Sequence, residues 1–111
     1  MHEAANSMND SYAQLTELGA VTGRIGSAAR LIGSMKSSIA GTIKNRKATK
    51  RITVFHEIDN TLYSATSDTF IGRVYADLGL VNIADAAATA DSYGYPQLSN
   101  EYVLKSNPDI I

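Results

Sequence analysis

His56 and Glu57 are adjacent residues whose imidazole and carboxylate groups could bind a metal or transfer protons. Neighbouring residues of a strand point to opposite faces, so the two side chains are not expected to converge on one ligand. No histidine or carboxylate stands at position i+4 from His56, and a transition metal needs about three or four such ligands. The sequence therefore predicts a structural histidine and no metal site.

Glu57, Asp59 and Asp68 could supply paired carboxylates for acid–base catalysis. No companion nucleophile or electrophile accompanies them, so a solvated or capping role is favoured. The hydroxyl-rich run at residues 64–69 lacks the glycine spacing of a phosphate-binding loop and is expected to lead into a helix cap. We therefore predict that the chain is not an enzyme and uses no cofactor.

Three tyrosines, Tyr63, Tyr93 and Tyr95, fall in predicted loops at one end of a sheet. Tyrosine offers a large apolar face and an orienting hydroxyl, which suits a wall for a bulky, partly polar ligand. The alternative is that Tyr95, which precedes Pro96, packs a turn. Spacing alone leaves both interpretations open.

The composition is that of one small folded domain, with 111 residues of which 44% are hydrophobic and 19% charged. A net charge of −1 gives no global attraction to nucleic acid or anionic membranes. The basic cluster from Lys44 to Arg51 could bind phosphate, but a solvated helix end is favoured. Cysteine is absent, which excludes disulfides. Residues 1–20 carry no signal pattern, so any export signal is expected upstream.

Two helices are predicted in the first part of the chain. Residues 1–8 are small and polar and are predicted to be disordered. A first helix is expected from about residue 9 to 18, with Gly19 as its terminator and Thr22 as the cap of the next helix. A long helix is expected over residues 23–46, because apolar residues recur along one face in steps of three and four.

Strands and helices alternate in the next part. Residues 51–58 are rich in β-branched and aromatic types and predict a strand. A helix is expected over residues 68–78, capped by Ser67 and stopped by Gly79, followed by a short strand at residues 80–83.

The last part adds a polar loop at residues 85–92, in which an alanine run could add one helical turn. Ser99 is predicted to cap a helix that Asn107 and Pro108 end, and residues 109–111 open a buried strand. That strand is shorter than the usual length of about five residues, so we expect a piece of a larger protein. The predicted fold class is α/β, with a long helix and part of a parallel sheet covered by helices on both faces. Ligands are expected at the carboxyl ends of its strands.

Several stretches, in their order and spacing, resemble the substrate-binding proteins of ABC importers for cobalamin and ferric siderophores, the class III periplasmic binding proteins. They are residues 18–23, 55–59, 67–83, 95–104 and 107–111. The most specific is the run Tyr95-Pro-Gln-Leu-Ser-Asn-Glu101, followed by Asn107-Pro-Asp109. The resemblance extends from about residue 8 to the end of the chain.

Proteins of this family have two α/β lobes joined by one long helix, with the ligand in the cleft between them. The resemblance implies that residues 9–50 hold the end of the first lobe and the joining helix, and that residues 51–111 begin a truncated second lobe. The implied function is to capture a cobalamin-like or ferric-siderophore ligand and deliver it to a membrane permease. The implied location is extracytoplasmic, in the periplasm or as a cell-surface lipoprotein. Alternatives are a haem or metal-ion binder of the same superfamily, a flavodoxin-like enzyme, or an interaction domain without transport function.

The resemblance also implies roles for residues. Tyr95 occupies the aromatic position that lines the cleft, and the loop at residues 61–67 borders it from the same lobe. The candidate ligand-binding residues are Tyr63, Ser64, Thr66, Ser67, Tyr93 and Tyr95. Glu101 matches the acid that docks onto the permease, although it could also complement a helix dipole. The isolated chain is expected to expose apolar surface, to self-associate and to bind ligand weakly.

Overall fold

A computed structural model of the chain describes residues 3–45 and 50–111. These residues fall into two units, one within Met1–Lys47 and one within Ala48–Ile111. Among the described residues, no helix is both long and apolar enough to cross a membrane. The predicted helix end at Arg46 lies outside the described residues.

The first unit is a hairpin of helices α1 (Met8–Val21) and α2 (Ile25–Asn45). Ser7 caps α1, because its Oγ accepts the Asp10 N–H at 3.2 Å and so satisfies a donor that the helix leaves unpaired. Large apolar side chains of the hairpin stay exposed, as expected from the sequence. They include Leu18, Val21, Ile25 and Leu31.

The turn between the two helices differs from the prediction. Helix α1 continues through Gly19, and Thr22 ends it by donating its N–H to Leu18 O at 3.0 Å. Gly23 then takes a φ of +68°, a left-handed conformation that glycine adopts without strain. Gly19 is therefore not the terminator and Thr22 is not the cap of α2. Gly23 makes the turn.

Gly19 has a different role, at a close contact between α1 and α2. It is buried, and a Cβ at this position would lie 2.6 Å from the Cβ of Ala28. The Arg24 N–H donates to Gly19 O at 2.6 Å at the same place. The hairpin is also braced by Lys36, whose ammonium lies 4.9 Å from the centre of the Tyr12 ring, a cation–π contact.

The second unit contains a parallel sheet. Strand β1 (Thr53–Val54) pairs with β2 (Val81–Asn82), with Thr53 opposite Val81. Helix α3 (Phe70–Asp77) lies between them in sequence, so the strands and helix form a βαβ crossover. The α/β fold class predicted from the sequence is confirmed.

Ile110 adds a third position to this sheet. It forms a parallel bridge with Val54, and its carbonyl accepts the Phe55 N–H at 2.9 Å. The order across the sheet is thus β2, β1 and Ile110. Ile110 and Ile111 are 45% and 78% exposed, so the burial predicted for this strand is not found.

The remaining elements are short. Two 3₁₀ helices, Ile83–Ala87 and Ala90–Ser92, replace most of the predicted polar loop. Helix α4 (Asn100–Ser106) is capped by Ser99, as predicted, and ends at Asn107, which has a φ of +43°.

Two predicted boundaries need correction. The strand expected over residues 51–58 is found only at residues 53–54. Both β2 and Ile110 pair with the chain at these two residues. Thr69 caps α3 in place of Ser67, which is occupied by another contact described below. Gly79, with a φ of +70°, follows the end of α3 as predicted.

The core of the second unit consists of Phe55, Ile83 and Leu98. Half-buried apolar side chains pack against it, namely Leu62, Ala87, Tyr102 and Val103. The Tyr102 hydroxyl also donates to Ile83 O at 2.7 Å, which ties α4 to the first 3₁₀ helix. The core therefore joins the end of β1 to the segments that carry the candidate site.

The Asp109 carboxylate holds the last segment against β1. It accepts the Thr53 N–H at 2.9 Å and the Thr53 hydroxyl at 3.0 Å. Lys50 Nζ donates to its other oxygen at 3.1 Å. The Thr53 amide, followed by Lys50 and the Thr53 hydroxyl, lowers the pKa of Asp109 below its ordinary value.

We predict that Gly19→Ala destabilises the hairpin by about 1–3 kcal/mol, because the new methyl group overlaps Ala28. Gly33→Ala is the matched control. A Cβ there meets nothing within 4 Å, so alanine should stabilise α2 by up to about 1 kcal/mol. Urea unfolding followed by far-ultraviolet circular dichroism measures both changes. Equal effects of the two substitutions would contradict the close approach.

We also predict that acid releases the last segment from β1. Because the pKa of Asp109 is lower in the folded state than its ordinary value of 3.8, its stabilisation is complete above that pH. It is lost as the pH falls through the folded pKa. The carboxyl carbon shift of Asp109, followed by NMR, should change with its protonation below pH 3.8. The Phe55 amide shift should change over the same pH range. Asp109→Asn should abolish this transition at Phe55, and its persistence would refute the assignment.

Candidate ligand-binding site

Two segments, residues 62–66 after β1 and residues 94–98 before α4, pair with each other in antiparallel fashion. We call them the tyrosine ribbon. Three backbone hydrogen bonds of 2.8 to 2.9 Å join them, donated by Leu98 to Leu62, by Ser64 to Pro96 and by Thr66 to Gly94. This pairing brings together predicted site residues that are far apart in the sequence.

Strand alternation places Tyr63, Tyr95 and Gln97 on one face of the ribbon. Tyr63 is 41% and Tyr95 is 48% exposed, so each ring is partly supported and partly open to solvent. Ala65 belongs to the same face but is fully buried. The exposed part of this face is thus formed by two half-open tyrosine rings and a glutamine.

The turn that leads into the ribbon needs unusual backbone angles. Tyr93 has a φ of +48° and Gly94 a φ of +86°. A Cβ on Gly94 would lie 2.9 Å from the Thr69 methyl group, so glycine is required there by both conformation and space. Tyr93 itself is 88% exposed and stands outside the paired part of the ribbon.

Ser64 and Thr66 were expected among the ligand-binding residues, but their side chains are 0% and 2% exposed. Successive side chains of an extended segment point to opposite faces, so Ser64 and Thr66 face the core when Tyr63 faces solvent. The structure therefore does not support direct ligand contact by these two side chains. The Ser64 hydroxyl has no hydrogen-bond partner within residues 3–45 and 50–111.

Ser67, the remaining candidate from this loop, is engaged by Asp85. Its N–H and hydroxyl donate to the two oxygens of the Asp85 carboxylate at 2.7 and 2.6 Å. Nearby, the buried Asn82 donates to Ala65 O at 2.6 Å and accepts the Ala84 N–H at 3.0 Å. The sequence reasoning missed both contacts. The sequence does offer one signal for these contacts. Asn82 and Asp85 lie at the start of a helical turn, where their residue types often bind backbone N–H groups.

Asp59 stabilises the turn before the ribbon. Its carboxylate accepts the Thr61 N–H at 2.8 Å and also the Thr61 hydroxyl. The hydroxyl first, and then the amide, lower the pKa of Asp59. The Gln97 amide donates to Thr61 O at 2.9 Å and links this turn to the other ribbon segment. The side chain of Asp59 therefore caps this turn, as the capping interpretation of the sequence expects.

His56 lies in a separate recess of about 610 Å³ that is also lined by Tyr75, Ile110 and Ile111. Its Nδ1 is hydrogen-bonded to the Tyr75 hydroxyl at 2.8 Å, and the side chain is half-buried. This contact agrees with the structural role expected for His56. Across the described parts of the chain, no cluster of three or more His, Cys, Asp or Glu residues could hold a metal ion.

Glu101 lies in the first turn of α4 and is exposed. The turn is ordered by Ser99, whose Oγ accepts the Tyr102 N–H at 3.1 Å. The carboxylate therefore complements the helix dipole and remains accessible to a partner.

Comparison with known proteins places this site in context. Residues 3–111 match the family described as Periplasmic binding protein. The chain is 30% identical to a cobalamin-binding protein of Halobacterium salinarum, over 97% of this chain and 29% of that protein. It is also 30% identical to an uncharacterized ABC transporter substrate-binding lipoprotein, YvrC of Bacillus subtilis, over 96% of this chain and 34% of that protein.

Two solved structures are similar as well. A possible iron-binding (periplasmic solute-binding) protein from Staphylococcus epidermidis is 28% identical, with a TM-score of 0.75 over 96% of this chain and 41% of that one. An ABC transporter substrate-binding protein from Listeria monocytogenes has a TM-score of 0.69 at 24% identity, over 95% of this chain and 40% of that one, and shows the fold alone. The chain spans 29% to 34% of the length of the curated relatives named above.

We predict that Ser64→Ala is neutral or stabilises the second unit by about 1 kcal/mol, because it removes a buried hydroxyl that lacks a partner. Thr69→Ala serves as the contrast, since it removes the α3 cap and should destabilise by about 1 kcal/mol. Thermal unfolding followed by near-ultraviolet dichroism of the tyrosines compares the two. A loss of stability in Ser64→Ala as large as in Thr69→Ala would disprove the prediction.

Proposed function

This chain belongs to the periplasmic binding protein family, and on that premise we propose that it is part of the solute-binding component of an ABC importer. The proposed function is to capture a cobalamin-like or ferric-siderophore ligand and pass it to a membrane permease. The observation that carries the proposal is the exposed face of the tyrosine ribbon. Two half-open rings held by paired backbone form a rigid wall that suits a bulky ligand with both apolar and polar surface.

The ligand class is supported from two sides. The rings of Tyr63 and Tyr95 supply contact area at low entropy cost, and the Gln97 side chain on the same face supplies polar groups for orientation. A relative with 30% identity is named a cobalamin-binding protein, and a similar solved structure is described as possibly iron-binding. Cobalamin and ferric siderophores are both large chelates, which fit a broad aromatic wall better than a small enclosed pocket.

The parts of the chain take different places in this proposal. Residues 9–50 contribute the end of a first lobe and the helix that joins the lobes, and residues 51–111 begin the second lobe. The ribbon then forms one wall of the cleft, while Tyr93 lies at its rim. The first lobe of the whole protein supplies the opposite wall.

Glu101 is proposed to dock onto the permease. It is exposed, and the capped first turn of α4 holds its backbone, so a cationic side chain could approach it. Docking requires a location outside the cytoplasm, in the periplasm or at the cell surface as a lipoprotein. The chain would act there by binding alone, without catalysis.

We predict that cyanocobalamin or a gallium-loaded siderophore shifts the NMR signals of Tyr63 and Tyr95 in this chain. The affinity should be weak, because one wall buries only part of the ligand. Tyr95→Ala should lower the affinity about tenfold by removing a ring from the wall. Leu104→Ala, which removes an apolar side chain that is 78% exposed on α4, is the control and should have no effect.

The same titration separates the alternatives. Saturable shifts of the ribbon tyrosines support the proposal. Haemin binding that perturbs His56 and leaves the ribbon unchanged would favour a haem or metal binder instead. The absence of ribbon shifts with all three ligands would contradict the proposed function.

For docking, we predict that Glu101→Ala lowers the stimulation of permease ATP hydrolysis about twofold to fivefold, as expected for loss of one exposed ion pair. Ligand affinity should not change. Glu57→Ala removes an exposed carboxylate elsewhere in the second unit and is the charge control. Equal losses in the two variants would point to net charge and exclude a specific contact by Glu101.

A further inference from the structure

The corner between β2 and the 3₁₀ helix at Ile83–Ala87 is bound at two points to residues 65–67, where the first segment of the tyrosine ribbon ends. The Asn82 amide donates to Ala65 O at 2.6 Å. The Asp85 carboxylate receives the N–H and the hydroxyl of Ser67 at 2.7 and 2.6 Å. Together the two side chains hold the backbone on either side of Thr66.

Thr66 in turn carries the connection to the second segment of the ribbon. Its N–H donates to Gly94 O at 2.8 Å, next to Tyr95. Its carbonyl accepts the N–H and the hydroxyl of Thr69 at 3.0 and 2.7 Å. Movement of Thr66 would therefore shift the backbone that presents Tyr95.

The two contacts at the corner differ in kind. Asn82 is 5% exposed, and its side chain also begins the 3₁₀ helix, so it is part of the folded core. Asp85 is exposed, and its bonds to Ser67 are short and charge-assisted. An exposed carboxylate contributes modestly to global stability but can still select one conformation of a loop.

We propose that Asp85 is a positioning residue for ligand binding. By accepting both donors of Ser67, it holds residues 65–67 in place and so sets the spacing of Tyr63 and Tyr95 on the exposed face of the ribbon. The inference rests on the proposed function for its consequence in binding. The contact between Asp85 and Ser67 itself is independent of the ligand.

The experiment compares Asp85→Ala, Asp85→Asn and the unmodified chain. Amide hydrogen exchange at Ser64 and Thr66 reports on the ribbon, and NMR titration with cyanocobalamin reports on binding. Asp77→Ala, at the end of α3, removes an exposed carboxylate without touching Ser67 and is the charge control.

In Asp85→Ala, we expect exchange at Ser64 and Thr66 to accelerate about tenfold and the dissociation constant to rise by a similar factor, as for loss of charge-assisted hydrogen bonds. Exchange in α1 should not change. Asp85→Asn keeps an acceptor for the Ser67 N–H and should recover most of both effects. Asp77→Ala should resemble the unmodified chain. If Asp85→Ala fails to fold, Ser67→Ala removes only the hydroxyl bond and should give a smaller change in the same direction.

Unchanged exchange at Thr66 in Asp85→Ala would overturn the proposal. So would faster exchange with unaltered affinity, or an Asp85→Asn variant as impaired as Asp85→Ala. Failure of the unmodified chain to bind any ligand would contradict the proposed function, while the exchange data would still decide whether Asp85 positions the ribbon.

Discussion

The backbone pairing between residues 62–66 and 94–98 is the constraint on which the candidate site depends. Three hydrogen bonds set its register, and the register decides which side chains face solvent. A slip of one residue in either segment would exchange its exposed and buried faces. The half-open positions of Tyr63 and Tyr95 and the burial of Ser64 follow from the same pairing.

The ribbon keeps this register because the rest of the second unit holds it from beneath. Leu98 lies in the core with Phe55 and Ile83. Helix α3 can approach closely because Gly72 has no side chain, and a Cβ there would overlap the backbone of Thr66. The wall proposed to meet the ligand is thus supported by the core and by packed backbone, which favours binding with little reorganisation.

Much of the fold could be predicted from local patterns. Three elements were predicted from neighbours in sequence and are present in the structure. They are α2 with its periodic apolar residues, α4 with its Ser99 cap, and the strand around Val54. The role of Gly19 could not be predicted this way, because a glycine that ends a helix and a glycine at a close helix contact look alike in sequence. Ser67 and Thr69 are likewise similar in sequence as candidate caps of α3. The structure shows that Ser67 binds Asp85 and that Thr69 is the cap.

The sequence by itself determined the α/β class, the family resemblance and the presence of tyrosines in the loops next to the sheet. These properties depend on residue type and on spacing along the chain. The tertiary structure decided which of the candidates face solvent, because that depends on the register of two segments that are distant in sequence. It also decided that Asn82 and Asp85 support the site, since a hydrogen bond between remote residues leaves no periodic signal in the chain.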